Sequence, residues 1–116
     1  MRYVLSLVLF FVVSFAQAQS KIKVACVGNS ITEGANIEAG KRYPDVLQNL
    51  LGNGYEVRNF GLGGRTLLKK GDYPYWNEKL YADVLEWKPD VVIIKLGTND
   101  SKPQNWKYKD EFVTDY

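Results

Sequence analysis

Val91-Val92-Ile93-Ile94-Lys95-Leu96 (VVIIKL), set between Pro89 and Gly97, decides the fold. A short apolar run rich in β-branched residues and closed by glycine reads as a strand buried in a parallel sheet. The residues before it repeat one alternation. Trp76 to Trp87 carries Leu80, Tyr81, Val84 and Leu85 on one helical face, and Pro89 ends that helix. Tyr55 to Phe60 (YEVRNF) alternates as a strand and empties into Gly61-Leu62-Gly63-Gly64. Tyr43 to Leu51 places Val46, Leu47, Leu50 and Leu51 at helical spacing, with Pro44 in the first turn and Gly52 and Gly54 as stops. Ile22 to Val27 is a further apolar run, broken at Lys23 and ended by Gly28. Strand, helix, strand, helix, strand predicts an α/β fold with right-handed crossovers around a parallel sheet.

After VVIIKL come the polar residues Thr98 to Asn105, and then Lys107 to Tyr116, where Phe112, Val113 and Tyr116 are expected on one face of a starting helix. The pattern stops without a closing strand, so residues 19–116 are expected to form the N-terminal portion of a domain whose C-terminal half is absent. VVIIKL would then lie at a sheet edge, and these residues alone are expected to be marginal or aggregation-prone.

Composition removes several function classes. The chain has 116 residues, 46% apolar, with fifteen Lys and Arg against thirteen Asp and Glu, one Cys and no His. Such a length suits one domain at most. Loss of a leader containing Arg2 would leave a net charge of +1, without the basic stripe of a nucleic-acid module. Cys26 has no partner for a disulfide, and its placement in a strand suits core packing. Without His, no His-based triad and no His-containing zinc motif can be completed within these residues.

Residues 1–18 read as a cleavable signal peptide. Arg2 precedes the uncharged run Tyr3 to Phe15, and Ala16-Gln17-Ala18 supplies small residues for cleavage. That run is shorter than the roughly 20 apolar residues of a membrane span. Export to the periplasm or the extracellular space is therefore expected, without stable membrane insertion after cleavage. Lys23 stands where a lipoprotein signal needs an apolar residue, so Cys26 is not expected to be lipidated.

Three polar clusters follow the three strands, at the end of an α/β sheet where ligands bind. In Gly28-Asn29-Ser30-Ile31-Thr32, glycine permits a tight turn and Ser30 sits at a helix start, where it could equally be a cap. In Asn59 to Thr66 (NFGLGGRT), glycine lets backbone N–H groups face a cavity, or simply makes a flexible turn. In Gly97-Thr98-Asn99-Asp100, Asn99 offers an amide donor and Asp100 could brace the loop, as could an ordinary Asx turn. Together they supply what a hydrolytic serine needs: a hydroxyl, a neighbouring N–H, and donors where negative charge develops on a carbonyl oxygen.

GNSITEG, NFGLGGRT and GTND, in this order and at these separations, resemble the first three blocks of the SGNH hydrolases, the GDSL-type family. The resemblance implies a flavodoxin-like three-layer sandwich. It also implies Ser30 as nucleophile, Gly64 as backbone oxyanion donor and Asn99 as side-chain oxyanion donor, with no metal or organic cofactor. Asn29 stands where many relatives have Asp, and it is assigned a supporting role with Asp100. The family's general base, a His in a late Asp-x-x-His block, has no counterpart here, and neither Asp100 nor Asp115 replaces it. Residues 1–116 alone are thus expected to be nearly silent in catalysis, and the longer parent to be an esterase.

The resemblance is closest to exported bacterial enzymes that remove O-acetyl groups from carbohydrates, including sialate O-acetylesterase-like proteins. The expected partner is an acylated carbohydrate or another small acyl ester. Trp76 and Trp106 could stack on a sugar ring, or pack on the sheet and over a loop. Arg65 and Lys102 could meet an acidic substituent. A non-catalytic carbohydrate-binding or scaffold protein and a lysophospholipase-like acylhydrolase are the alternatives. A phosphate-binding module fits poorly, because G-x-G-G-x-T is not a dinucleotide fingerprint and no phosphate-directed Lys follows.

Overall fold

The computed structural model describes residues 19–116; residues 1–18, which carry the leader expectation, lie outside the described residues. Three strands, β1 (Ile22–Gly28), β2 (Tyr55–Gly61) and β3 (Val91–Lys95), form one parallel sheet in the order β2-β1-β3. Five helices, α1 (Ser30–Glu33), α2 (Tyr43–Leu51), α3 (Lys79–Trp87), α4 (Pro103–Trp106) and α5 (Phe112–Asp115), connect or follow them. No helix among the described residues is long and apolar enough to cross a membrane.

The register sets the site. Val24 lies opposite both Val57 and Val91, and Gly28 lies opposite both Gly61 and Lys95. The three strands therefore end level, with the loops after them side by side. Because the chain runs from β1 to β2 on one side and then crosses to β3 on the other, these loops flank the point where strand order reverses.

Helices cover opposite faces. Ala25, Val27 and Phe60 pack with Tyr75 and Val84 beneath α3, joined by Leu80, Tyr81 and Trp87. On the other face Val46, Leu47 and Leu50 of α2 line a groove with Ile31, Ile37 and Ile93. Gln48 closes the seam between α2 and β2: its amide donates to the carbonyls of Gly52 and Tyr55, and its oxygen accepts from Val57 N–H. At the opposite end of the sheet, Lys23 N–H donates to Asp90 at 2.7 Å and Asp90 N–H donates to Lys23 C=O at 2.9 Å, which ties the start of β3 to β1.

Two elements depart from the sequence pattern. The helix expected from Trp76 begins at Lys79, because Tyr75–Asn77 form a 3-10 turn and Glu78 is extended. Tertiary bonds impose the break. The Tyr75 hydroxyl donates to Phe60 C=O at 2.6 Å, and the Trp76 indole donates to Leu67 C=O at 2.6 Å. Burial raises the Tyr75 phenol pKa, with smaller contributions from Asp83 and Glu78, so it stays a donor. The helix expected over Lys107 to Tyr116 is likewise a 3-10 turn, Lys109–Glu111, followed by the single turn α5. Its apolar face is not shared as expected: Val113 is 85% exposed, while Asp115 turns inward and accepts from Lys69 N–H at 2.9 Å.

β1 is buried from Val24 to Val27, whereas Val91 to Ile94 in β3 are between 37% and 45% exposed. Among the described residues, the run most suited to a sheet interior thus stands at an edge.

The tightest backbone approach lies at the end of β2. A Cβ on Gly61 would stand 2.2 Å from Glu33 N and 2.7 Å from Thr32 C, both backbone atoms of α1. In the full-length protein, Gly61→Ala is therefore expected to cost about 3 kcal/mol of stability in urea unfolding. Gly54→Ala, where an added Cβ meets nothing within 4 Å, should stay within about 0.5 kcal/mol of the parent.

Candidate active site

Asn29 lies between β1 and α1 and caps the helix. Its side-chain oxygen accepts from Ile31 N–H at 3.1 Å, the usual capping bond, and the residue is 1% exposed. Its amide nitrogen is buried without a partner among the described residues. Ser30 follows at the first position of α1, exposed to solvent. The helix closes after one turn, with Gly34 in the left-handed region (φ 63°) and its N–H donating to Ser30 C=O. Asn59 of β2 secures the far end, donating to Thr32 C=O at 2.8 Å and accepting from Gly61 N–H at 2.8 Å.

The glycine loop after β2 leans on this turn. Gly63 N–H donates to the Glu33 carboxylate at 2.8 Å, and a Cβ built on Gly63 would lie 3.7 Å from Ser30 Cβ. Gly64 has φ 79°, a conformation that glycine adopts without strain. Its N–H donates to no group among the described residues. Gly63 C=O accepts from Arg65 Nη1 at 2.8 Å, while Arg65 Nε and Nη2 both reach Glu78 Oε1, at 2.9 and 2.8 Å. Arg65 C=O accepts from the Asn99 amide at 3.0 Å. Gly64 is therefore bracketed: Glu33, one turn beyond Ser30, holds the residue before it, and Asn99 holds the residue after it.

Beyond Arg65 the loop is stapled into the fold. Thr66 N–H donates to Tyr73 C=O and Tyr75 N–H donates to Thr66 C=O, each at 2.9 Å. Asp100, wholly buried, accepts from Leu67 N–H at 3.1 Å and Leu68 N–H at 2.7 Å. Asn105, 1% exposed, donates to Asn99 C=O and to the Asp72 carboxylate, each at 2.9 Å, and accepts from Asp72 N–H at 2.8 Å. The Asn105 amide is the main cause holding the Asp72 carboxyl below its ordinary pKa, helped by Gln104, Tyr73 N–H and Lys102.

A family model described as GDSL-like Lipase/Acylhydrolase matches residues 26–112, spanning all three strand-end clusters. The chain belongs to the GDSL-like lipase/acylhydrolase family. An acetylxylan esterase of Xylanibacter ruminicola is 56% identical to it over 102 residues, which cover 86% of this chain and 21% of that relative. The chain thus spans about a fifth of the length of that protein. No solved structure matches at a significant level.

In this GDSL-type chain the fold brings together Ser30, the Gly63-Gly64 loop and Asn99, with Asn29 and Asp100 buried behind them. The residues considered for substrate contact are differently placed. Arg65 is engaged by Glu78 and Gly63. Trp76 packs edge-on against Tyr81, 5.2 Å between centroids, over an apolar cavity of about 160 Å³ that includes Val84, Val92 and Ile94. Lys102 is exposed, and Trp106, 43% exposed, packs edge-on against Phe112 at 6.0 Å. Glu33, Glu78 and Asn105 were not legible as site residues. Glu33 and Asn105 act on partners distant along the chain, Gly63 at 30 positions and Asp72 at 33, and Glu78 reaches Arg65 across the 13 positions before α3.

Asp100 is the buried brace whose loss should register most clearly. In the full-length protein, Asp100→Ala leaves two N–H groups without acceptors and is expected to cost about 3 kcal/mol in thermal or urea unfolding. Lys102→Ala, on the exposed side of the same loop, should change stability by less than about 0.5 kcal/mol.

Proposed function

We propose that this chain carries the nucleophile and the oxyanion donors of a serine esterase that removes acetyl groups from a carbohydrate. The bracketing of Gly64 is the observation that carries this reading. Glu33, in the same helical turn as Ser30, and Asn99, in the loop after β3, hold the residues on either side of a glycine whose N–H is unspent among the described residues. An oxyanion site works by such preorganised donors, fixed before charge develops.

In the proposed reaction the Ser30 hydroxyl attacks the acyl carbonyl. The Ser30 and Gly64 N–H groups and the remaining amide hydrogen of Asn99 receive the negative charge of the tetrahedral intermediate. The bond from the acyl carbon to the sugar oxygen breaks as that oxygen takes up the proton Ser30 gave up, and water then attacks the acetyl-serine, releasing acetate and restoring the Ser30 hydroxyl. The proton acceptor for Ser30 is supplied from outside these 116 residues, which contain no His. The likeness to an acetylxylan esterase supports an O-acetylated polysaccharide as the substrate class. Arg2, the uncharged run Tyr3 to Phe15, and Ala16-Gln17-Ala18 support export, which would bring the enzyme to such a polymer.

The test is hydrolysis of acetylated xylan and of a short acetyl ester by the full-length protein beside Ser30→Ala. The variant is expected to lose about 10³-fold or more in kcat with its fold intact; equal rates would remove Ser30 from the mechanism. For export, the secreted or periplasmic protein is expected to begin at Gln19 by N-terminal sequencing, and a product retaining residues 1–18 would overturn it.

A further inference from the structure

We infer that Arg65 is a positioning residue for the oxyanion donor: its guanidinium, itself held by Glu78, sets the Gly63–Gly64 peptide and hence the direction of Gly64 N–H. This inference rests on the esterase reading above, in which Gly64 N–H receives the developing charge.

The geometry of one peptide group carries the argument. Gly63 C=O and Gly64 N–H belong to the same planar unit, and the described residues contain no cis peptide bond. In a trans peptide the two groups point in opposite directions, so fixing the oxygen fixes the N–H. A peptide between two glycines otherwise has little to hold it, since neither flanking residue has a side chain to restrict its dihedrals. The peptide before it and the second one after it have other anchors. Glu33 takes the N–H of the Leu62–Gly63 peptide, and Asn99 and Tyr73 engage the Arg65–Thr66 peptide from its two sides. The Gly63–Gly64 peptide has the Arg65 guanidinium, at 2.8 Å.

Arg65 is built for that task and not for reaching outward. Its three guanidinium nitrogens are all engaged, Nη1 on Gly63 C=O and both Nε and Nη2 on Glu78 Oε1. The side chains of Arg65 and Glu78 are 26% and 27% exposed, so the pair is only partly screened by water. Glu78 is free to make this bond because it sits in the extended break before α3, between the 3-10 turn and the helix. A charged donor on a peptide oxygen also polarises that peptide and strengthens its N–H as a donor. Arg65 therefore acts on the reacting oxygen through Gly64 and not by touching substrate.

A neutral substrate separates this role from contact with an acidic substituent. In the full-length protein assayed with p-nitrophenyl acetate, Arg65→Gln is expected to lower kcat roughly 10- to 100-fold and to leave KM within about threefold. Arg65→Lys should restore only part of that loss, because an ammonium lacks the planar fork that spans Gly63 and Glu78. Glu78→Gln should lower kcat by a smaller factor, about 3- to 10-fold, again without a matching rise in KM. An unchanged kcat in Arg65→Gln, or a raised KM alone, overturns the inference. If Arg65→Gln fails to fold, an unchanged kcat in folded Glu78→Gln overturns it instead. Ser30→Ala run in parallel separates the two readings. Its full activity would remove the esterase reading and this inference together, whereas its silence beside a fully active Arg65→Gln removes only the role of Arg65.

Discussion

The end of β2 lies directly against the backbone of α1, and the rest of the site follows from that contact. With no side chain at Gly61, the strand can approach Thr32 and Glu33 to a distance that a single Cβ would forbid. Gly28, facing Gly61 in the ladder, is under similar pressure, since a Cβ there would stand 2.0 Å from Thr32 Oγ1. Two glycines at the tops of neighbouring strands thus let a four-residue helix sit down on the sheet. That seating brings the Glu33 carboxylate within reach of Gly63 and puts Ser30 beside the glycine loop.

Around Gly64 the molecule concentrates charge and amide groups that serve backbone. Glu33, Arg65 and Asn99 each spend a side-chain hydrogen bond on a peptide of the loop, while Asp100 takes two N–H groups just beyond it. Hydrogen bonds to charged groups contribute more to stability than bonds between neutral groups, and burial strengthens both. A glycine-rich segment that would otherwise sample many conformations is held in one. This is the kind of preorganisation that an acyl-transfer site requires, because donors that must reorganise during the reaction give less stabilisation.

The strands and both longer helices were legible from periodicity, because their apolar faces repeat with the spacing of the elements they form. The late start of α3 was not, since Trp76 stands at sound helical spacing from Leu80, and only the bonds of Trp76 to Leu67 and of Tyr75 to Phe60 keep that stretch out of the helix. The inward turn of Asp115 was hidden for the same reason: apolar spacing favoured Val113, and the N–H of Lys69 decided otherwise. Arg65 is the most instructive case. As a residue type beside a glycine loop it suggests an anion contact, and only its distances to Glu78 and Gly63 give it inward-facing work.

The sequence by itself determined the α/β order, the three polar clusters and the residue types that match the GDSL-like family, because these depend on local spacing along the chain. Tertiary structure alone decided that β1 lies between β2 and β3, that Glu33 and Asn99 bracket Gly64, and that Asp100 and Asn105 hold the loops. Those facts depend on which backbone groups of distant segments meet across the sheet. Hydrogen-bond partners separated by some 30 residues leave no periodic trace, since nothing along the chain records the direction in which a carboxylate will point.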